Sequence, residues 1–243
     1  MSQDSPDSPI SGYLFAFGSA AAIAATFLVR KSVSNAVNPT TFSVWWYGLS
    51  GIYAWVWTLL RGQPAQIGRA SRAWKPLLAL ILCNAAAAIL YFTEIDMTNP
   101  ALVAFFGRLR TVYTILLGIV LLGERLNRRE WAGAAITVLG TLIIAYKGGT
   151  ALNTVFVLAL IENLLMAVTT VTARLVVQHI SPLVLTGVRG VTMAALLFVY
   201  ALIAGQWQPV DGKTLLALSA GAFVGPFIGY VLRYSALARI DAG

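Results

Sequence analysis

Eight apolar runs, each about the length of a bilayer crossing, follow one another through a chain of 243 residues. They are Ile10–Val29, Thr41–Leu60, Pro76–Thr93, Ala101–Leu122, Trp131–Tyr146, Thr154–Ala173, Pro182–Ala204 and Thr214–Leu232. The hydrocarbon core of a membrane takes about 20 apolar residues in helical form. None of the runs shows the strict apolar/polar alternation of a lipid-facing strand, so helices are predicted and a β-barrel is excluded. Trp131–Tyr146 is short and must borrow flanking residues. Short connectors make neighbouring spans antiparallel hairpins of one bundle.

Charged residues are 11% of the chain and hydrophobic ones 58%, whereas a soluble domain carries about 25% charge. A compact soluble domain of this length has too little interior for so much apolar surface. An ordinary soluble enzyme, a disordered chain and a basic-faced nucleic-acid binder are therefore excluded. Cys83 and His179 are the lone residues of their types. They exclude a disulfide framework and multi-Cys or multi-His metal centres, so no metal or cofactor is expected. They also leave no nucleophile–base set, so no enzyme is expected. Residues 1–9, acidic and rich in Ser and Pro, read as a disordered tail without a signal-peptide n-region.

Orientation follows from the positive charges. With the N-terminus in the cytoplasm, ten Lys/Arg fall inside, Arg61, Arg69, Arg125, Arg128 and Arg233 among them. Four (Arg30, Lys31, Lys147 and Lys213) fall outside. The excess favours that topology. The connector Glu94–Pro100, acidic and without Lys or Arg, is expected outside. The lipid bilayer is the expected surrounding, and nucleic acid is not an expected partner.

A constant shift of 143 positions brings two halves into register. Pro39 meets Pro182, Lys31 meets Arg174, Gly62-Gln63 meets Gly205-Gln206, and after a loop difference Tyr91 meets Tyr234. A shift that persists across several features is the trace of duplication. The first unit, residues 10–147, holds five spans. An odd number inverts the second unit, residues 153–243, relative to the first. The expected architecture is thus an all-α, multi-pass helical bundle of two inverted repeats, five helices plus an incomplete copy of three. On this register Gly243 lies opposite Pro100, so partners of spans four and five are missing from the second unit. The face they would cover is expected to meet lipid or a second copy, as in a homodimer.

Around the fourth and fifth spans the chain reads Leu121-Leu122-Gly123-Glu124-Arg125-Leu126, then Trp131, Gly133 and Gly140. This resembles the signature of the drug/metabolite transporter superfamily, in its ten-helix EamA-like branch. Tyr234–Ile240 resembles the segment preceding the same signature in that family's second unit. Three departures stand out: Thr111 where the family often has proline, Arg108 and Arg110 inside span four, and no second signature. The resemblance implies a secondary transporter in a cell membrane, a bacterial inner membrane first of all. In physical terms Glu124 and Arg125 can pair at the cytoplasmic end of span four, and Gly133 and Gly140 suit close helix packing.

Charges inside spans are expensive and are kept facing the bundle interior or a wet cavity. Arg108, Arg110, Glu162 and Arg189 qualify. Arg108 and Arg110 lie about 200° apart on a helix, so one faces the pathway and the other snorkels or pairs elsewhere. Three arginines against one glutamate favour an anionic cargo, bound by Arg108 or Arg189. Asn163, Asn84, Trp46 and Tyr113 are candidate hydrogen-bond or wall residues around it. Glu162, opening the second repeat, resembles the membrane-embedded glutamate of the small multidrug resistance branch, which implies proton coupling. The alternative is an ion pair of Glu162 with Arg189 or Arg108. Gly221, Gly225 and Gly229, with Pro226 among them, form a packing face and a hinge in the last span. The expected function is export or exchange of a small metabolite with an anionic group, the alternatives being a cation exporter built on Glu162 or a membrane scaffold.

Overall fold

The computed structural model describes residues 9–61, 74–122, 127–147 and 149–239. Among these residues every regular element is helical, and the protein is an all-α, multi-pass membrane protein. In chain order the helices are α1 (Pro9–Val33), α2 (Pro39–Leu60), α3 (Trp74–Met97), α4 (Pro100–Phe106), α5 (Leu109–Leu117), α6 (Arg128–Lys147), α7 (Gly149–Val177), α8 (Pro182–Ile203), α9 (Gly212–Ala222) and α10 (Tyr230–Leu237). A π-helical turn, Gly118–Leu122, follows α5, and another, Phe223–Gly229, joins α9 to α10. The fourth predicted span is thus α4 plus α5, and the eighth is α9 to α10. Among the described residues six helical stretches are long and apolar enough to cross a membrane, and Trp131–Ile144 is a shorter apolar one. α2 is not among the six: its tryptophans, tyrosines and hydroxyls lower its hydropathy, and much of it is buried by protein.

Local chemistry sets the starts. Asn38, Asn99 and Ser181 each cap a helix whose first turn opens with proline, which needs no amide donor there. Asp211 caps α9 by accepting from the amides of Lys213 and Thr214 at 3.2 and 3.3 Å. Hydrogen bonds from Thr214, side chain first, hold this exposed carboxyl below its usual range. The N-terminal tail expected to be disordered and the Gly123-Glu124-Arg125-Leu126 string lie outside the described residues, apart from Pro9, which opens α1.

Several helices run past the apolar stretches, and at two of these ends the extension buries a charged residue. α1 continues to Val33 and takes Arg30 out of the outer connector. Arg30 is buried, donates from Nη1 to the Val37 carbonyl at 2.7 Å, and lies 5.0 Å from the centre of the Phe42 ring. It closes the α1–α2 turn instead of facing water. α3 likewise runs on to Met97, so Glu94 is a helical residue, buried, and not part of an exposed connector.

The chain forms two compact units that cut across the repeats read from the sequence. One joins α1 and α2 to the last turn of α7 and to α8–α10. The other holds most of α3 and α7 with α4, α5 and α6. In the first unit α2 and α8 run antiparallel: Asn38 and Thr41 at the start of α2 bond the Gln206 carbonyl beyond the end of α8, and Ala54 and Trp55 meet Gly187 near its start. The two backbones cross in contact at Gly51 and Gly190. In the second unit Phe106, Val155 and Ala159 form a core against Ile144 and Phe156. Gly133 and Gly140 do not make the close crossing expected of them. A Cβ on Gly133 would meet nothing within 4 Å, and one on Gly140 would touch only Phe105, at an ordinary 3.8 Å.

Candidate functional site

In the second unit the site begins with a helix break. After Phe106 the chain turns through Gly107 and Arg108, and the amides of Arg110 and Thr111 bond the carbonyls of Gly107 and Arg108, three residues back. In a continuous α-helix the Arg110 amide would bond the Phe106 carbonyl. That carbonyl instead accepts from Asn163 Nδ2 at 3.3 Å, which also donates to the Ala159 carbonyl at 2.7 Å. A buried carbonyl needs such a donor. Asn163→Ala should therefore lower stability by about 1–3 kcal/mol, the cost of stranding a buried polar group. Thermal unfolding in detergent checks this, and an unchanged melting temperature would show that the carbonyl does not depend on Asn163.

The turn decides between the two arginines of span four. Arg108 is exposed, away from the interior position expected of it. Arg110 points inward, and its Nη2 pairs with Glu162 Oε1 at 2.8 Å. Glu162 therefore pairs with Arg110, where the ion-pair alternative had named Arg108 or Arg189. Glu162 is 2% exposed and Glu94, on α3, is 1% exposed. Arg110 and Glu162 are both charged neighbours that act on Glu94. Asn84, buried on α3, donates to Met166 Sδ at 3.0 Å, and Tyr113 is half-buried on α5.

Glu94 is a site residue that sequence reasoning missed. Helical phase held the signal: Leu80, Ala87 and Glu94 are seven apart, nearly one face, and all three are buried.

The first unit holds Arg189. Its guanidinium is 0% exposed, lies 3.6 Å from the centre of the Tyr230 ring, and is 5.0 Å from that of Tyr47. Tyr234 is buried one helical turn beyond Tyr230, and its hydroxyl finds no hydrogen-bond partner among the described residues. Trp46 is wall material rather than an open contact. It stacks on Phe42 at 4.9 Å and fills the space beside Gly221 and Gly225. Gly225 also lies against Thr26, and Gly229 against Ile23 and Ala22. Pro226 sits within the π-helical turn between these glycines, directly before Tyr230. Among the described residues no cluster of His, Cys, Asp or Glu is suited to a metal ion.

Membrane-crossing helices that bury ionisable side chains, one of them broken beside those charges, are where membrane proteins keep functional polar groups. The comparisons place the chain further. The model of the EamA-like transporter family matches residues 10–146 and 153–243, and the chain belongs to that family. A Sinorhizobium protein described as an uncharacterized transporter in the cobO 3' region is 32% identical over 74 residues, 30% of this chain and 52% of the relative. The chain thus spans about half the length of that relative. A solved structure, titled only as the crystal structure of a protein, aligns over 97% of this chain and 82% of its own with a TM-score of 0.77 and 20% identity. That likeness shows the fold.

Proposed function

We propose that this transporter is a secondary carrier, an exporter or exchanger, for a small metabolite with an anionic group: an amino acid, an organic acid or a phosphorylated compound. Arg189 carries the reading. A buried guanidinium whose flat face is stacked on tyrosine still makes its hydrogen bonds in its own plane, where its fork matches carboxylate or phosphate. The Tyr234 hydroxyl adds a donor in the same helix bundle. Alternating access is supported by the π-helical turn around Pro226, because bending there moves Tyr230 relative to Arg189. The cation-exporter alternative draws less support, since Arg110 already balances Glu162. A cytoplasmic N-terminus is part of the same reading, supported by the excess of Lys and Arg in the segments that this orientation puts inside.

A ligand screen by thermal shift, comparing amino acids, sugar phosphates and cationic drugs, tests the cargo class, and flux into liposomes tests transport. Arg189→Gln should weaken binding of the anionic ligand about ten- to a hundredfold, the loss of one charge-assisted pair. Arg189→Lys should recover part of it, keeping charge without the fork. Equal affinity in wild type and both variants would return Arg189 to a packing role.

A further inference from the structure

Three ionisable side chains share the interior of the second unit, and their charges do not cancel when all are ionised. Arg110 and Glu162 are paired at 2.8 Å. Glu94 enters from α3, with Arg110 on α5 and Glu162 on α7 as the charged groups acting on it. It is 1% exposed, and its Oε1 has no hydrogen-bond partner among the described residues. An arginine keeps its charge at any pH a protein meets. It can balance one carboxylate. A second buried carboxylate left ionised would have no solvent and only a guanidinium already shared with the first, and such a group neutralises instead.

We infer that Glu94 and Glu162 hold one exchangeable proton between them, seated on Glu94 in this structure, with Arg110 as their shared counter-ion. If the guanidinium shifts from Glu162 to Glu94, the proton leaves the Glu94 carboxyl and bonds to a Glu162 carboxylate oxygen. The group is neutral before and after, and no other reactant is needed. Loss of the proton to water leaves one net negative charge. The helix break supplies the freedom for this shift, because Arg110 follows directly on the Gly107–Arg108 turn, where the α-helical ladder is interrupted. The use of this proton rests on the transporter reading above, and it names the coupling ion and the residue that carries it. Glu162, expected to be the proton carrier by itself, becomes one half of a carboxyl pair.

Infrared spectra of the full chain in liposomes of ether-linked lipid, which has no ester carbonyl, test this at neutral pH without any cargo. A protonated-carboxyl C=O stretch is expected in the wild type. It should vanish in Glu94→Gln, and equally in Glu162→Gln, because either change leaves one carboxylate for one guanidinium. It should about double in Arg110→Gln, where both carboxyls lose their counter-charge. The requirement that both single glutamine variants lose the band separates a shared proton from a merely buried glutamate. A band that survives either variant, or no band in the wild type, would overturn the assignment. Absence of flux with every metabolite tried would count against transport alone and leave the infrared result standing.

Discussion

Arg110→Gln is expected to destabilise the protein far more than either glutamate-to-glutamine change at the same site. Breaking a buried ion pair by removing one partner typically costs about 3–5 kcal/mol. The Arg110 side chain keeps 25% of its surface exposed while Glu162 keeps 2%, so water softens the loss, and a fall of roughly 2–4 kcal/mol is expected. Glu162→Gln removes the other half of the pair, yet Glu94 stands ready as a second carboxylate for the guanidinium. Its cost should stay near 1 kcal/mol, the scale of one exchanged hydrogen bond. Glu94→Gln leaves the Arg110–Glu162 pair untouched and should cost no more. Unfolding of the three variants in detergent–SDS mixtures makes the comparison. Equal losses in all three would mean that Glu94 cannot serve Arg110 as a spare partner.

The helices were legible because a bilayer fixes their length and apolarity, whatever packs against them. Their ends were less so. A hydropathy scan stops at the first charged residue, whereas a helix stops where its backbone hydrogen bonds do. Arg30 and Glu94 were therefore assigned to connectors, although α1 and α3 carry both inward. The phase argument separated Arg108 from Arg110. Which one faces inward depends on the turn at Gly107, and that turn is tied to an asparagine 57 residues away. The tyrosines around Arg189 come from α2 and α10, and no spacing along the chain joins them. Glycine shows the same division. Gly221, Gly225 and Gly229 announce themselves by their four-residue period, and they do pack closely. Gly133 and Gly140 have a period too but no close neighbour, while Gly51 and Gly190 meet across two helices, and the spacing within either helix does not name the other.

That last pair yields the most damaging single methyl group predicted for this protein. A Cβ on Gly190 would lie 2.7 Å from the Cα and N of Gly51 and 2.9 Å from the Tyr47 carbonyl oxygen. One on Gly51 would lie 2.7 Å from the Val191 amide nitrogen. These are backbone atoms, so no side chain can rotate away and the helices themselves must separate. Overpacking of this kind costs about 1–3 kcal/mol, occasionally more, and a clash with rigid backbone belongs at the upper end. Gly190→Ala should thus lose roughly 3 kcal/mol or more, against gains of at most about 1 kcal/mol from alanine's better helix propensity. Separation of α2 from α8 would also disturb Arg189, which neighbours Gly190 and lies over Tyr47, so ligand affinity should fall with stability. The double variant is the sharper measurement. Once one methyl has pushed the helices apart, the second meets the space already opened, and the two costs should be strongly sub-additive. Additive losses would show that each glycine serves a separate contact, and a stable Gly190→Ala protein would show that α2 and α8 do not cross as closely as this structure has them.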